Sequence, residues 1–243
     1  MGEDFGRWTI ADADAILADV TSANVACGFH AGDPSAMRRV CGAAARRGVT
    51  IGAHVGYRDL VGFGRRFIDV EPDRLHDDVA YQIAALQGFA RAAGTTIRYL
   101  KPHGALYGAV IDHDHQALAV VGAAREHGDG LALVGPQGSA LLAHAQAAGL
   151  SIVQEAFADR AYLSAGRLVP RDAPGAVLTD PEIIAARCVR MVTDGEIQSQ
   201  AGDTIRLRPA SICLHGDTPG AAAIARAVRR ALDEARVVVR SFV

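Results

Sequence analysis

The chain has 243 residues, half of them apolar and only 5% aromatic, and its formal net charge is -2. This suits one large α/β domain, or two small ones, with a core of Ala, Val, Leu and Ile, and it gives no basic footprint for nucleic acid. No run approaches the roughly 18 apolar residues of a membrane span, and Met1-Gly2-Glu3-Asp4 has neither the basic nor the apolar region of a signal peptide, so a soluble, cytoplasmic protein is expected.

Short β-rich runs alternate with longer Ala-rich runs. A strand is expected over 22–27, then a helix over 34–47 with Asp33 as its N-cap, Pro34 at its first position and Gly48 as its stop. Next come a strand over 50–54, a loop over 56–66, and a helix over 71–93 that stops at Gly94. A strand over 97–100 and a helix over 113–127 follow. The strand expected over 131–134, Leu131-Ala132-Leu133-Val134, is apolar throughout, as in a sheet covered on both faces. A helix over 139–148 stops at Gly149, a strand covers 151–154, and a helix covers 181–193. Residues 195–208 read as an inserted hairpin, because Thr204-Ile205-Arg206-Leu207-Arg208 alternates like a half-exposed strand. The chain closes with a strand over 211–214, a helix over 219–235 and a strand over 237–239. This alternation predicts a parallel sheet wrapped by helices in a single domain spanning 1–243. Cys27, Cys41, Cys188 and Cys213 are scattered without Cys-x-x-Cys spacing and read as buried free thiols.

Four histidines stand where an apolar strand gives way to a polar turn: His30, His54, His103 and His215. In a parallel sheet or barrel the C-terminal strand ends open on one face, where ligands bind. Two of the turns are near-copies, Phe29-His30-Ala31-Gly32-Asp33-Pro34 and Leu214-His215-Gly216-Asp217-Thr218-Pro219. The four histidines with Asp33 and Asp217 suit general acid–base work, and the histidines equally suit a divalent metal with an open position for water. Their spacing leaves both open, and in the plainer reading Asp33 caps one helix and Asp217 or Thr218 another. Lys101, Arg65, Arg66 and Arg160 add positive charge suited to an anionic substrate. The loop over 56–66, with Gly56, Gly62 and Gly64, reads as a lid or as a structured surface loop. Asp159 and Arg160 follow another strand end and read either as site residues or as an ion pair. His76, His113, His115, His127 and His144 fall on expected helices or their starts and are assigned to solvated faces. Neither a Gly-x-x-x-x-Gly-Lys-[Ser/Thr] nor a Gly-x-Gly-x-x-Gly phosphate motif occurs.

The blocks Ser22-Ala23-Asn24-Val25-Ala26-Cys27-Gly28-Phe29-His30-Ala31-Gly32-Asp33-Pro34, Gly52-Ala53-His54-Val55-Gly56-Tyr57 and Gly62-Phe63-Gly64-Arg65-Arg66 resemble the signature of the LamB/YcsF family. So do Lys101-Pro102-His103-Gly104-Ala105-Leu106-Tyr107, Phe157-Ala158-Asp159-Arg160-Ala161-Tyr162 and His215-Gly216-Asp217, in the family's order across nearly the whole chain. The resemblance implies a distorted (β/α) barrel of the glycoside hydrolase/deacetylase type. It implies ATP-dependent cleavage of 5-oxo-L-proline to L-glutamate by a complex with partner subunits B and C, which fits the missing phosphate loop. It also implies that Asn24, Tyr57, Arg65, Arg66, Lys101, Tyr107, Asp159 and Arg160 hold the substrate around His30, His54, His103 and His215. A homodimer is compatible with it.

Some positions depart from the family pattern. The family's opening strand, Asp-Leu-Asn-x-Asp, precedes a Gly-Glu-x-Phe-Gly that stands here as Gly2-Glu3-Asp4-Phe5-Gly6, so a barrel without its first strand, from a misassigned start codon or a shortened chain, is expected. Val55 replaces a usual Pro, and Gly108 a usual Asn. The competing readings are a stand-alone metal-dependent amidohydrolase or deacetylase, and a non-catalytic regulatory or scaffold subunit.

Overall fold

A computed structural model describes residues 1–128 and 130–243. The chain divides into two compact units, Met1–Val153 together with Val243, and Gln154–Phe242.

The first unit is a run of βα repeats: α1 (Ala13–Leu17), β1 (Ser22–Ala26), α2 (Pro34–Arg47), β2 (Thr50–Val55), α3 (Pro72–Ala92), β3 (Ile97–Pro102), α4 (Gly104–Ala109), α5 (Asp114–Glu126), β4 (Ala132–Pro136) and α6 (Ala140–Ala147). Strands β1 to β4 pair in chain order and in parallel. Each connection carries a helix, as parallel pairing requires. Val25, Ala53, Leu100 and Leu133, from successive strands, are fully buried. Against them lie Val40, Cys41 and Ala44 of α2, and Val79, Ile83 and Leu86 of α3. Helix α2 is fixed at both ends: the Asp33 carboxylate accepts from Ala36 N at 2.7 Å, and Gly48 closes the helix in the left-handed conformation at φ 67°.

One side chain ties three strands together. The Tyr99 ring of β3 lies across β2 at Gly52, and its hydroxyl donates to Asn24 Oδ1 of β1 at 2.8 Å. A methyl group at Gly52 would overlap that ring, so Gly52 is where the tyrosine can cross. On the edge of β1 turned away from β2, Met1 forms a single parallel bridge: its amine donates to Asn24 O at 2.7 Å and its carbonyl accepts from Ala26 N at 3.0 Å. No strand precedes β1 among the described residues.

Strand β5 (Ile152–Phe157) leads into the second unit, where its later residues pair in parallel with β8 (Ser211–Cys213). Helices α7 (Pro181–Thr193) and α8 (Ala221–Glu234) pack there through Ile184, Ala185 and Cys188 against Ile224, Ala227 and Val228. The hairpin expected over 195–208 is present as antiparallel β6 (Glu196–Gln198) and β7 (Thr204–Arg206).

Six of the seven expected strands and all six expected helices occur, with ends shifted by a few residues. The strand expected over 237–239 does not form. Val237 and Val239 pack on the α7–α8 cluster while Val238 stays exposed, so the β-branched alternation serves a packed tail without a strand partner. Helices α1 and α4, of five and six residues, lack the length over which a 3.6-residue period shows in the sequence. The four cysteines are buried free thiols, as expected. Among the described residues no helix is long and apolar enough to cross a membrane.

Gly52→Ala is expected to destabilise the chain by about 1–3 kcal/mol through overpacking against Tyr99. Tyr99→Phe, which removes the hydrogen bond to Asn24, is expected to cost about 1 kcal/mol. Urea unfolding of the two variants checks the order.

Candidate active-site residues

Three of the four expected histidines meet in the first unit. His30 follows β1, His54 lies near the end of β2, and His103 follows β3, where its backbone N–H continues the pairing by donating to Val55 O at 2.7 Å. All three are buried. The His30 and His103 rings stack at 3.8 Å between centroids and 5° between planes, and His54 stands edge-on to His103 at 4.8 Å. Glycines make this approach feasible. A Cβ at Gly56 would come within 2.7 Å of His30 Nδ1, and one at Gly64 within 2.7 Å of the His30 Cβ and 2.8 Å of the His103 ring.

The hydrogen bonds fix the ring protons. A carbonyl oxygen only accepts, so His54 Nδ1 donates to Lys101 O at 3.0 Å, and His103 Nε2 donates to Phe63 O at 2.8 Å. Their other nitrogens, His54 Nε2 and His103 Nδ1, face each other at 3.1 Å. Burial, reinforced by the neighbouring positive charge of His103 and Lys101, holds His54 well below the ordinary histidine pKa, so its ring is neutral near pH 7 with a lone pair on Nε2. His30 is also depressed, by burial first and then by the charges of His103, the chain amine and Arg65. Neither nitrogen of His30 has a hydrogen-bond partner.

Glu3 belongs with these histidines: one carboxylate oxygen, His54 and His103 bring ligand atoms within 4.8 Å of one another. Residue-type reasoning missed it because a glutamate at a chain start carries no periodic signal. Its place in the Gly-Glu-x-Phe-Gly block was the available clue.

The 56–66 loop is pinned rather than free, which favours the structured-loop reading over a lid. Buried Asp59 accepts from Gly62 N at 2.9 Å and pairs with the Arg66 guanidinium, while Gly64 O accepts from Ala105 N at 2.9 Å. Arg66 is thereby a loop anchor, and Arg65 lies over the Phe63 ring at 4.8 Å. Phe63 holds φ at 54°, a left-handed value unusual for an aromatic residue, and presents its carbonyl to His103. Tyr57 is a buried strut whose hydroxyl donates to Gln116. Lys101 is buried with its ammonium 5.5 Å from the centre of the Tyr107 ring. Asp33 caps α2 and also accepts from Gly6 N at 2.8 Å, the plainer of its two expected roles.

The second unit holds His215. Its Nδ1 lies 2.8 Å and 3.1 Å from the two Asp159 oxygens, and the Thr218 hydroxyl donates to the same carboxylate at 2.8 Å. The carboxylate accepts, so Nδ1 carries the proton and, in the neutral ring, the Nε2 lone pair is left to accept another. The ring stacks on Phe157 at 5.4 Å and stays partly open to solvent. Burial alone would raise the Asp159 pKa, but the hydrogen bonds from His215 and Thr218 outweigh it and hold the carboxyl below its ordinary value. Arg160 turns away from its neighbour: Nε donates to Ala176 O at 3.2 Å and a terminal nitrogen to Val169 O at 2.6 Å, clamping the 160–177 loop. Asp217 pairs with Arg171 at 3.2 Å. Of the five histidines assigned to helices, His76 pairs with Glu126 at 3.0 Å and His144 with Asp114 at 2.7 Å, both partly exposed.

Parallel βα repeats with ionisable side chains gathered at strand ends define an α/β protein with its candidate site residues at the carboxyl ends of its strands. The LamB/YcsF family model matches residues 1–243, and the chain belongs to that family. It is 59% identical to the A subunit of 5-oxoprolinase from Streptomyces griseus over 242 residues, covering 100% of this chain and 97% of that protein. To the A subunit of 5-oxoprolinase from Kocuria rhizophila it is 55% identical, covering 100% and 96%. The crystal structure of the lactam utilization protein from Thermus thermophilus matches with a TM-score of 0.94 at 42% identity, covering 100% of this chain and 97% of that one.

Asp159→Asn is expected to cost about 1.5–3 kcal/mol at pH 7, because it removes a buried charge-assisted hydrogen bond. A depressed carboxyl contributes its stability above the unfolded-state pKa and loses it as pH falls through the folded one. The penalty should therefore shrink as pH drops below the ordinary aspartate value of 3.8, as denaturant titrations of both proteins from pH 7 to 3 would show.

Proposed function

We propose that the chain is the ring-opening component of an ATP-dependent 5-oxoprolinase, converting 5-oxo-L-proline to L-glutamate together with partner subunits B and C. The observation that carries this reading is the full-length 59% identity to the A subunit of a 5-oxoprolinase, in a chain that keeps a carboxylate-oriented histidine with one nitrogen open.

The chemistry is consistent with such a division of labour. A lactam is an unactivated amide, and water attacks it slowly without help. Phosphorylation of the lactam oxygen by ATP, with release of ADP, makes the ring carbon electrophilic; water adds there, the C–N bond breaks as the nitrogen takes a proton, and the acyl phosphate left behind is hydrolysed to glutamate and phosphate, while no phosphate loop occurs in this chain to hold the nucleotide. The partners supply that activation, and this chain supplies water activation and ring opening. His215 takes a proton from the attacking water at Nε2, while Asp159 orients the ring and stabilises the cation that forms.

Mixing this chain with partner subunits, ATP and 5-oxoproline, and following phosphate and glutamate release, tests the reading. Full turnover by the isolated chain with ATP would overturn it. His215→Ala is expected to lower kcat by about 10²–10⁴-fold with a smaller change in KM, as for loss of a general base.

A further inference from the structure

We propose that His54 Nε2, His103 Nδ1 and the Glu3 carboxylate form a binding site for one divalent transition-metal ion of the zinc class. This goes beyond the ring-opening reading and does not depend on the identity of the substrate.

The outer nitrogens of both rings are already committed. His54 Nδ1 donates to Lys101 O and His103 Nε2 donates to Phe63 O. Metal-bound histidines characteristically use their second N–H in this way, on a backbone carbonyl that fixes the tautomer. What remains is a pair of inner nitrogens facing each other 3.1 Å apart. With both rings neutral, two lone pairs confront one another, and a metal ion or a shared proton between them relieves the repulsion. Ligands of a tetrahedral zinc ion at about 2.0–2.1 Å from the metal are about 3.3 Å apart, close to the observed spacing.

The third donor is delivered independently. Met1 is held on the edge of β1 by its two backbone hydrogen bonds, and Gly2 turns the chain at φ 66°. A Cβ at Gly32 would come within 2.8 Å of Gly2 O, so the absence of a side chain there lets the turn sit down. Glu3 then lies buried, with Oε1 3.9 Å from the Met1 amine and Oε2 without any hydrogen-bond partner. A buried carboxylate oxygen left unpaired is costly, and a dication removes that cost. Two imidazoles and one carboxylate favour a zinc-class ion over calcium or magnesium, which prefer all-oxygen sites, and three protein ligands leave a fourth position open to water.

The test uses the full chain stripped with a chelator and then titrated with Zn²⁺ calorimetrically and with Co²⁺ by visible absorption. One ion per chain is expected, with a cobalt ligand-field band of a nitrogen–oxygen site. Glu3→Gln and His54→Asn should each weaken binding by more than about 10-fold and abolish that band. His144→Ala, on the surface of α6, should leave both unchanged. Thermal melts identify any variant that has lost its fold, and Glu3→Gln, nearly isosteric and near the terminus, keeps the test decisive if His54→Asn unfolds. Absence of a stoichiometric site, or a site indifferent to Glu3→Gln, overturns the proposal, and the proton shared between His54 and His103 then accounts for the geometry. The readout is stoichiometry and spectrum rather than turnover. A negative result therefore leaves the ring-opening reading untouched, and an intact cobalt spectrum in a protein that fails to open 5-oxoproline with its partners supports the site and removes that reading.

Discussion

The parallel pairing of β2 with β3 sets the geometry of the first unit. Its register shifts once, between Ile51 and Gly52, and then runs in step so that His54 sits opposite Lys101 and Val55 opposite Pro102. One residue further, the His103 N–H closes on Val55 O. Two histidines 49 positions apart in the chain are thereby brought within hydrogen-bond range. The same pairing places the Lys101 carbonyl where it takes the His54 proton. The crossing of Tyr99 over Gly52 to Asn24 locks this pair of strands to β1, from whose end His30 emerges.

Packing three imidazoles without solvent is feasible only if they stay neutral or share their charge, because an isolated buried cation is far costlier than a buried neutral ring. The structure meets this condition with backbone carbonyls from Lys101 and Phe63, and with glycines 56 and 64 in place of side chains. The second unit solves the same problem differently. His215 keeps one edge open to solvent and takes a buried carboxylate as its partner, itself steadied by Thr218. The two arrangements suit different work. Neutral rings with fixed lone pairs have the chemistry of ligands, whereas a carboxylate-backed ring has the chemistry of a base.

Much of this was legible in the sequence. The Asp33–Pro34 start and Gly48 stop of α2, the apolar β4 run and the alternating hairpin residues each express a local rule, and each formed as the rule requires. The histidine positions at strand ends were legible for the same reason, since a strand's end can be read from its composition. The roles of the charged residues were not. Arg66, Arg160 and Tyr57, expected at the substrate, also make bonds within the chain, to Asp59, to backbone carbonyls and to Gln116. A guanidinium or phenol carries no mark in the sequence that tells a ligand contact from an internal clamp.

The sequence by itself determined the family, the order of strands and helices, and which histidines stand at strand ends. All of these depend on near neighbours or on motif strings in one chain. Only the tertiary structure decided that Glu3 joins His54 and His103, that Asp59 organises the 56–66 loop, and that Asp159 belongs to His215 rather than to Arg160. Those partners lie between 3 and 100 positions apart in the chain, and what selects them is the direction of lone pairs and N–H bonds in space, which strand register, glycine turns and burial fix together.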